Sequence, residues 1–382
     1  MVQNYSRKEQ WEILDANVMP YHWEGKSKFN HDAKFLSSYY EEILILVSSK
    51  LNEIHCTNKS LRYWRIFIGP WLAYFIQMLF DRWESIHHAI EKYDLSGTVI
   101  LEFEEGSFVP NDMNDFIKLF TEDNWNHEIF GIILKQYTKT NCIIQKPSHV
   151  EYSYISSKKQ SIKRYIKKQT RSFLSKIAST FKRDTDMFLI NTYLPIYLEI
   201  LLQIKLGQVP QLWKSNITPV RTKPNFYERN WALKHNMDSP FDDFVNRLIP
   251  KHIPAVFLEG YKAIVKQTDE LLWPQNPKVI YTSNVLWHDS VSMAYTAEKT
   301  ENGAGLLYGQ HGGFYGSALY SWAERHEIEI SDKYLTWGWD ELLQPKIIPT
   351  GVLKTASWYN NAVDLKKNKT KKLLLVLVST SM

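Results

Sequence analysis

The chain has 382 residues, of which 44% are hydrophobic, 14% aromatic and 23% charged, and this composition excludes disordered and fibrous proteins. Its net charge of +5 comes from one segment, 158–183, which holds ten basic residues and no acidic one, so we expect no nucleic-acid partner. The two cysteines, Cys56 and Cys142, exclude a disulfide framework and structural zinc, and they favour a reducing compartment.

The first predicted elements are two long helices, over residues 32–51 and 60–90, where apolar residues recur at helical spacing. Gly69-Pro70 predicts the start of a new helix inside the second stretch. The N-terminus lacks the apolar stretch of a secretory signal. Polar residues interrupt the most apolar windows, 66–80 and 189–206, so we interpret both as buried helices rather than membrane spans.

Short apolar runs then predict strands, separated mostly by helical stretches. The runs are 98–103, 129–134, 187–191, 278–283, 305–310, 334–337 and 373–378. Strands that alternate with helices predict an α/β protein with a largely parallel sheet.

The end of the chain predicts a boundary between domains. Residues 366–372 form a charged linker, and 373–382 resemble the first strand and loop of another α/β domain. A lone parallel strand cannot form a domain. Either this strand pairs at the edge of the existing sheet, or the sequence is part of a longer protein.

The densest group of polar residues follows the predicted strands in the second half of the chain. Gln310-His311-Gly312-Gly313 follows one strand, and Asn284 and His288 follow the strand before it. Since ligands bind beyond the carboxyl ends of parallel strands, we predict a functional crevice there. His311 could take a proton from a hydroxyl group; the alternative is a capped turn with a structural histidine.

Weaker candidates lie elsewhere. Asp184 and Asp186 have the Asp-x-Asp spacing of a metal and nucleotide-sugar site, but they precede their strand. Asp112 and His127 belong to a polar group after the strand at 98–103, where they could contact an acceptor or be solvated. Arg62 and Arg65 share a helix face, where they could bind an anion or lie over the core.

The basic segment 158–183 is amphipathic, with apolar residues near one helical stripe. Such a helix could contact anionic lipid, bind a polyanion, or form a solvated surface helix.

Longer motifs resemble one family over nearly the whole chain. The sequence resembles transferases encoded in bacterial gene clusters for O-antigen and surface polysaccharide biosynthesis. The resemblance is carried by Asn52-Glu-Ile-His55, Ser60-Leu-Arg-Tyr-Trp-Arg65-Ile-Phe-Ile-Gly69-Pro-Trp71, Phe80-Asp-Arg82, Tyr308-Gly-Gln-His-Gly-Gly313, Glu327, Ser331-Asp332 and Trp337-Gly-Trp339.

The layout is also similar to that of GT-B glycosyltransferases, in which two Rossmann-like domains face each other. The resemblance implies that residues 1–365 are an acceptor-side Rossmann-like domain with large helical insertions, and that 366–382 begin a donor-binding domain. In teichoic-acid glycerophosphate polymerases and some capsule Kdo transferases, a histidine-glycine motif lies at the reaction centre. By that similarity His311 would be the general base or would hold the acceptor hydroxyl, while Glu327 and Asp332 would shape the crevice. We expect His311 and Glu327 to be the catalytic residues.

Members of the family begin with an earlier apolar strand and continue through a complete second domain. The resemblance therefore implies that this chain is truncated at both ends, and that it is incomplete as an enzyme alone.

The sequence thus predicts a transferase that moves a sugar or sugar-like group from a nucleotide-activated donor to a lipid-linked or surface glycan, without metal or other cofactor. We expect Gln310, Gly312, Gly313, Asn284, His288, Asp332, Arg62, Arg65, Asp112 and His127 to bind substrate. The predicted location is cytoplasmic, with peripheral membrane contact through 158–183. The alternatives are a metal-dependent GT-A-type transferase using Asp184 and Asp186, and an inactive fragment that binds only glycan or a partner chain.

Overall fold

The computed structural model describes residues 17–147, 181–233 and 239–358. Most of the basic segment and all of 366–382 therefore lie outside the described residues. The expectations for membrane contact through that segment and for a second domain remain predictions.

A five-stranded parallel sheet forms the centre of the second half of the chain. Its strands lie side by side in chain order. They are β3 (Phe188–Leu189), β4 (Val279–Thr282), β5 (Gly305–Gly309), β6 (Lys333–Thr336) and β7 (Ile347–Pro349). The predicted α/β class with a Rossmann-like parallel sheet is confirmed.

A second, two-stranded parallel sheet pairs β1 (Thr98–Leu101) with β2 (Cys142–Gln145). The sequence had not indicated β2, which is short and exposes Ile143 and Ile144. It also had not indicated β7, because a three-residue strand that ends in proline lacks the apolar run used to recognise strands.

Two long helices, α1 (Lys26–His55) and α2 (Leu61–Lys92), pack together and form the core of the first half. Helix α2 begins at Ser60, whose hydroxyl accepts a hydrogen bond from the Tyr63 backbone N–H at 3.1 Å. The prediction of a break at Gly69-Pro70 is wrong, since α2 continues through Pro70. Burial of almost the entire middle of α2 outweighs the backbone hydrogen bond that proline removes.

The segment 129–134, predicted as a strand, lies instead within helix α4 (Asp123–Tyr137). Ile129 and Ile133 are both fully buried on one face of that helix. A short apolar run fits a strand and a buried helix equally well, and here tertiary packing favours the helix.

The other helices connect and cover the strands. They are α3 (Met113–Leu119), α5 (Ile196–Lys205), α6 (Pro240–His252), α7 (Tyr261–Asp269), α8 (Ser290–Glu301) and α9 (Trp322–Ile330), with shorter 3₁₀ turns at Ala255–Phe257, Val285–Trp287 and Leu353–Trp358. Helices α8 and α9 connect neighbouring strands of the five-stranded sheet, and both pack against α2. This packing joins the helical first half to the sheet.

Helix α5 is not the buried helix that the sequence predicts for the window 189–206. Its apolar side chains Ile196, Tyr197, Leu201 and Ile204 are between 45% and 58% exposed. The polar side chain of Gln203 is fully buried and exchanges hydrogen bonds with the Gln211 backbone. Helix α5 thus exposes apolar side chains and buries a polar one, the reverse of the usual amphipathic pattern.

Within the three described ranges, no helix has both the length and the apolar character needed to cross a membrane.

Candidate functional site

Polar side chains from three strands meet at the carboxyl edge of the five-stranded sheet. Tyr193 follows β3, Asn284 follows β4, and His311 follows β5. Because parallel strands deliver the residues after them to one edge, the predicted crevice combines residues that are more than a hundred positions apart in sequence. Tyr193 was not among the predicted residues.

His311 lies against the buried carboxylate of Glu327, which belongs to α9. The Nδ1 atom of His311 is 3.0 Å from Oε1 of Glu327, although the ring is not aligned for a hydrogen bond in this position. The histidine side chain is 25% exposed, whereas that of Glu327 is completely buried. The two residues therefore form a pair in which only the imidazole can reach a substrate.

Three hydrogen-bond donors hold the Glu327 carboxylate in place. Trp287 Nε1 donates to Oε1 at 2.7 Å, and the Tyr315 hydroxyl donates to the same oxygen at 3.2 Å. The Tyr334 hydroxyl donates to Oε2 at 2.9 Å. Burial raises the pKa of Glu327, while His311, Trp287 and Tyr334 oppose that shift.

Such an arrangement can orient and polarise an imidazole. The Glu327 carboxylate, 3.0 Å from Nδ1, can orient the ring and stabilise the positive charge that forms when Nε2 accepts a proton. The Tyr315 hydroxyl lies 3.5 Å from Nε2, at the limit of a hydrogen bond. Because Glu327 faces Nδ1, Nε2 is the ring nitrogen that can take a proton from a substrate hydroxyl.

Gln310 uses its polar atoms within the protein. Its Oε1 accepts hydrogen bonds from the Trp337 backbone N–H at 2.8 Å and from Trp339 Nε1 at 2.9 Å. Its Nε2 donates to the Gly312 carbonyl at 2.7 Å. Gln310 thus ties the His311 loop to the end of β6, and its contact with substrate stays a prediction.

The two glycines after His311 do not adopt left-handed backbone angles. Gly316, later in the same loop, does, with φ of 76°. A Cβ atom on Gly316 would lie 2.7 Å from the Trp339 ring. Gly316 is therefore the position in this loop where the backbone comes too close to a neighbouring side chain, Trp339, to accommodate a Cβ atom. Gly312 and Gly313 lie beside His311, and their predicted contact with substrate stays a prediction.

Tyr193 and Asn191 occupy the left-handed region, with φ of 62° and 49°, a strained conformation for a tyrosine. Asn284 Nδ2 donates to the Tyr193 hydroxyl at 2.6 Å. The Lys354 ammonium lies 3.9 Å from the centre of the Tyr193 ring, a cation–π contact. Burial, and then the nearby charge of Glu327, raise the pKa of Tyr193, so Tyr193 belongs to the surroundings of the His311 pair.

Lys354 comes from the 3₁₀ turn after β7, at the opposite end of the sheet from β3. Its contact with Tyr193 shows that the chain after β7 crosses the carboxyl edge and adds a positive charge there. No local motif marks Lys354 or Tyr193, because their positions depend on the strand order.

His288 also lies near this edge, half-buried, with Nε2 3.1 Å from the Asn216 side-chain oxygen. The neighbouring Asp289 caps α8 by accepting a hydrogen bond from the Ser292 backbone N–H at 3.0 Å. His288 therefore belongs to the turn that precedes α8. Its hydrogen bond to Asn216 is separate from the group of hydrogen bonds around Glu327.

Asp332 and the two arginines lie elsewhere. Asp332 precedes β6 and accepts hydrogen bonds from the Leu306 backbone N–H at 2.7 Å and from Arg62 at 2.8 Å. These residues are at the amino ends of β5 and β6, so Asp332 and Arg62 are not brought together with His311. Arg65 forms two hydrogen bonds, of 2.9 and 2.6 Å, with Glu41 on α1.

Asp112 and His127 also have partners inside the protein. Asp112 caps α3, accepting from the Asn114 and Asp115 backbone N–H groups at 2.8 and 3.2 Å. His127 Nε2 accepts from the Leu101 backbone N–H at 2.7 Å. Both positions favour a structural role.

Asp184 and Asp186 precede β3, at the amino edge of the sheet. Asp184 pairs with Lys182 at 2.7 Å, which holds the pKa of Asp184 below its usual value. Asp186 accepts from the Arg183 backbone N–H at 2.9 Å. A GT-A-type site would need Asp186 at the carboxyl end of a strand, and this condition is not met.

Among the described residues, His22, Asp32 and Glu84 bring ligand atoms within 4.8 Å of one another. The Lys28 ammonium lies 2.6 Å from both Asp32 and Glu84. Lysine therefore already supplies the positive charge that these carboxylates require.

The comparison with known families agrees with a catalytic role for the chain. A family model described as "LIC12162 family transferase" matches residues 1–382. No curated protein and no solved structure matches the sequence significantly.

Proposed function

This chain belongs to the LIC12162 family of transferases, and we propose that it transfers a sugar or sugar-like group from a nucleotide-activated donor to a lipid-linked or surface glycan. Three things support the proposal: the family assignment, the resemblance to O-antigen and GT-B glycosyltransferases, and the polar edge of the sheet. The single observation that carries it is the pair of His311 and the fully buried Glu327.

In the proposed reaction, His311 Nε2 takes the proton of an acceptor hydroxyl. The hydroxyl oxygen forms a bond to the anomeric carbon of the donor sugar as the bond from that carbon to the phosphate oxygen breaks. The leaving phosphate retains the electron pair of the broken bond. Glu327 stabilises the imidazolium that forms. Every step uses side chains of the chain itself, and none requires a metal ion.

The positive charge of Lys354 supports a site for an anionic donor at this edge. Its ammonium is anchored on Tyr193, which Asn284 holds by a hydrogen bond. A lysine beside the crevice has the charge needed to attract a leaving phosphate. We infer that Lys354, Tyr193 and Asn284 contact the donor, while residues after 365 supply further donor contacts. Segment 158–183 would contact the anionic surface that carries the acceptor.

A transfer assay tests the proposal. The purified chain would be incubated with radiolabelled nucleotide sugars and with lipid-linked glycans from the source organism, and incorporation of label would be measured with and without a chelator. We expect sugar transfer that persists with the chelator. Transfer abolished by the chelator would favour the metal-dependent alternative, and glycan binding without transfer would favour the inactive fragment.

A further inference from the structure

A cavity of about 990 Å³ opens beyond the carboxyl end of β1, and its volume is in the range of small-molecule pockets, about 300–1,000 Å³. Its walls come from the chain after β1, from α4, from α6 and from the segment 226–232. None of its lining residues belongs to the His311 site. It is thus a second concave surface, in the other half of the fold.

Aromatic side chains form much of the wall. Phe226 is 48% and Tyr227 is 95% exposed, and Phe103 and Trp231 lie beside them in the lining. Phe226 packs directly on Gly106, where a Cβ atom would lie 2.4 Å from the ring. These rings offer flat apolar faces to a ligand.

The charges that line the cavity are balanced within the protein. Arg229 pairs with Glu259 at 2.6 Å, Arg247 with Asp243 at 2.8 Å, and Lys251 with Glu105 at 3.7 Å. Burial lowers the pKa of His252 to about 3, so this side chain is neutral. A phosphate or a nucleotide would find no unpaired cation among the described lining residues, and the cavity therefore favours an uncharged ligand.

Three buried polar atoms of lining residues have no hydrogen-bond partner among the described residues: Glu128 Oε2, Trp231 Nε1 and His252 Nδ1. His252 is only 4% exposed. A buried polar atom without a partner lowers stability. The indole N–H can only donate, whereas the carboxylate and the imidazole nitrogen can accept. A ligand that satisfies all three must both donate and accept.

We propose that this cavity binds an uncharged sugar unit of a glycan, with its C–H face on the aromatic rings and its hydroxyl groups on Glu128, Trp231 and His252. A sugar combines an apolar face with groups that donate and accept. An entirely apolar ligand would leave the three polar atoms unpaired. This site is additional to the transfer site, and the proposal does not depend on the reaction assigned to His311.

The experiment measures binding of the purified chain to an immobilised panel of uncharged mono-, di- and trisaccharides of common hexoses, N-acetylhexosamines and deoxyhexoses. We expect a subset to bind. Trp231→Phe keeps an aromatic ring but removes the N–H donor, and should weaken that binding about five- to tenfold. Tyr227→Ala removes an exposed ring and should also weaken it.

Glu91→Gln, at an exposed position on α2 that lines neither site, is the matched control and should bind the same sugars with unchanged affinity. Thermal melting of each variant would confirm that it folds, and Tyr227→Ala provides a variant whose side chain contributes little to the core. The proposal is overturned if no sugar in the panel binds, or if both cavity variants bind as the native chain does. Preferential retention of an apolar dye in the cavity, without sugar binding, would also contradict it.

Discussion

Two glutamates show how their neighbours decide what a buried carboxyl group can do. Glu327 is surrounded by three donors and by His311, so a negative charge on it is stabilised beside an imidazole. Glu128 lies in the cavity near β1, where burial raises its pKa to about 7 and the charge of Lys251 opposes that shift. The first is suited to assist a base, and the second to exchange hydrogen bonds with an uncharged ligand.

The pKa of Glu128 leads to a prediction about stability. Because the folded-state pKa, about 7, exceeds the usual value of 4.5, ionisation of Glu128 opposes folding. Its unfavourable effect is absent below about pH 4.5, grows as the pH rises, and is complete above about pH 7, where it is on the order of 3 kcal/mol. Glu128→Gln should therefore raise the free energy of unfolding at about pH 8, and have little effect at about pH 4.

Urea denaturation of both proteins at the two pH values measures this difference. Glu91→Gln, at an exposed position on α2, serves as a control that should not change the pH dependence. An equal effect of Glu128→Gln at both pH values would show that the carboxyl group does not ionise with a raised pKa.

At the scale of single elements, α5 departs most from the usual pattern. Its inner face holds Gln203, which is bonded to Gln211, and Glu199, which accepts a hydrogen bond from the Thr192 hydroxyl at 2.5 Å. Its outer face is apolar. Polar side chains face inward here because their hydrogen bonds are satisfied by Thr192, just after β3, and by the Gln211 backbone, after α5, which offsets the cost of burying them.

This inversion predicts tolerance to polar substitution. Leu201 and Ile204 are 45% and 56% exposed, so the double variant Leu201→Gln with Ile204→Gln should change the free energy of unfolding by no more than about 0.5 kcal/mol. Leu72→Gln on α2, where the side chain is completely buried, should lower it by at least about 2 kcal/mol.

Chemical denaturation of the three proteins gives these values. A loss of several kcal/mol in the α5 double variant would show that this face is covered in solution rather than exposed.

At the scale of the whole molecule, the sequence predicted the strands of the five-stranded sheet where apolar runs of four or more residues are flanked by turns, as at β4, β5 and β6. It did not indicate β7, which is three residues long, and it assigned a strand to the interior of α4. Local patterns do not report the tertiary packing that decides such cases. They likewise could not show that α2 passes through Pro70, because the neighbours that bury that turn come from distant parts of the chain.

The candidate site also has residues that local sequence patterns predicted and residues that only the tertiary structure reveals. The position of His311 after a strand was expected from its motif, and the resemblance named Glu327 as a site residue. The contact between the two was not expected, because it depends on how α9 packs against the sheet. The strand order, which a single sequence does not reveal, is what adds Tyr193 and Lys354. It also places Asp332 and Arg62 at the amino ends of the strands, so their predicted substrate contacts have no support from the geometry of the His311 edge.

The most direct test of the account is transfer of labelled sugar to the glycan by the native chain, by His311→Ala and by His288→Ala. His288 lies near the same edge but outside the Glu327 hydrogen bonds, and its replacement should leave most of the activity. His311→Ala should retain its fold and lower turnover at least ~100-fold, as expected for the loss of a general base. Near-native turnover of His311→Ala would contradict the account, because the reaction would then proceed without the histidine on which it depends.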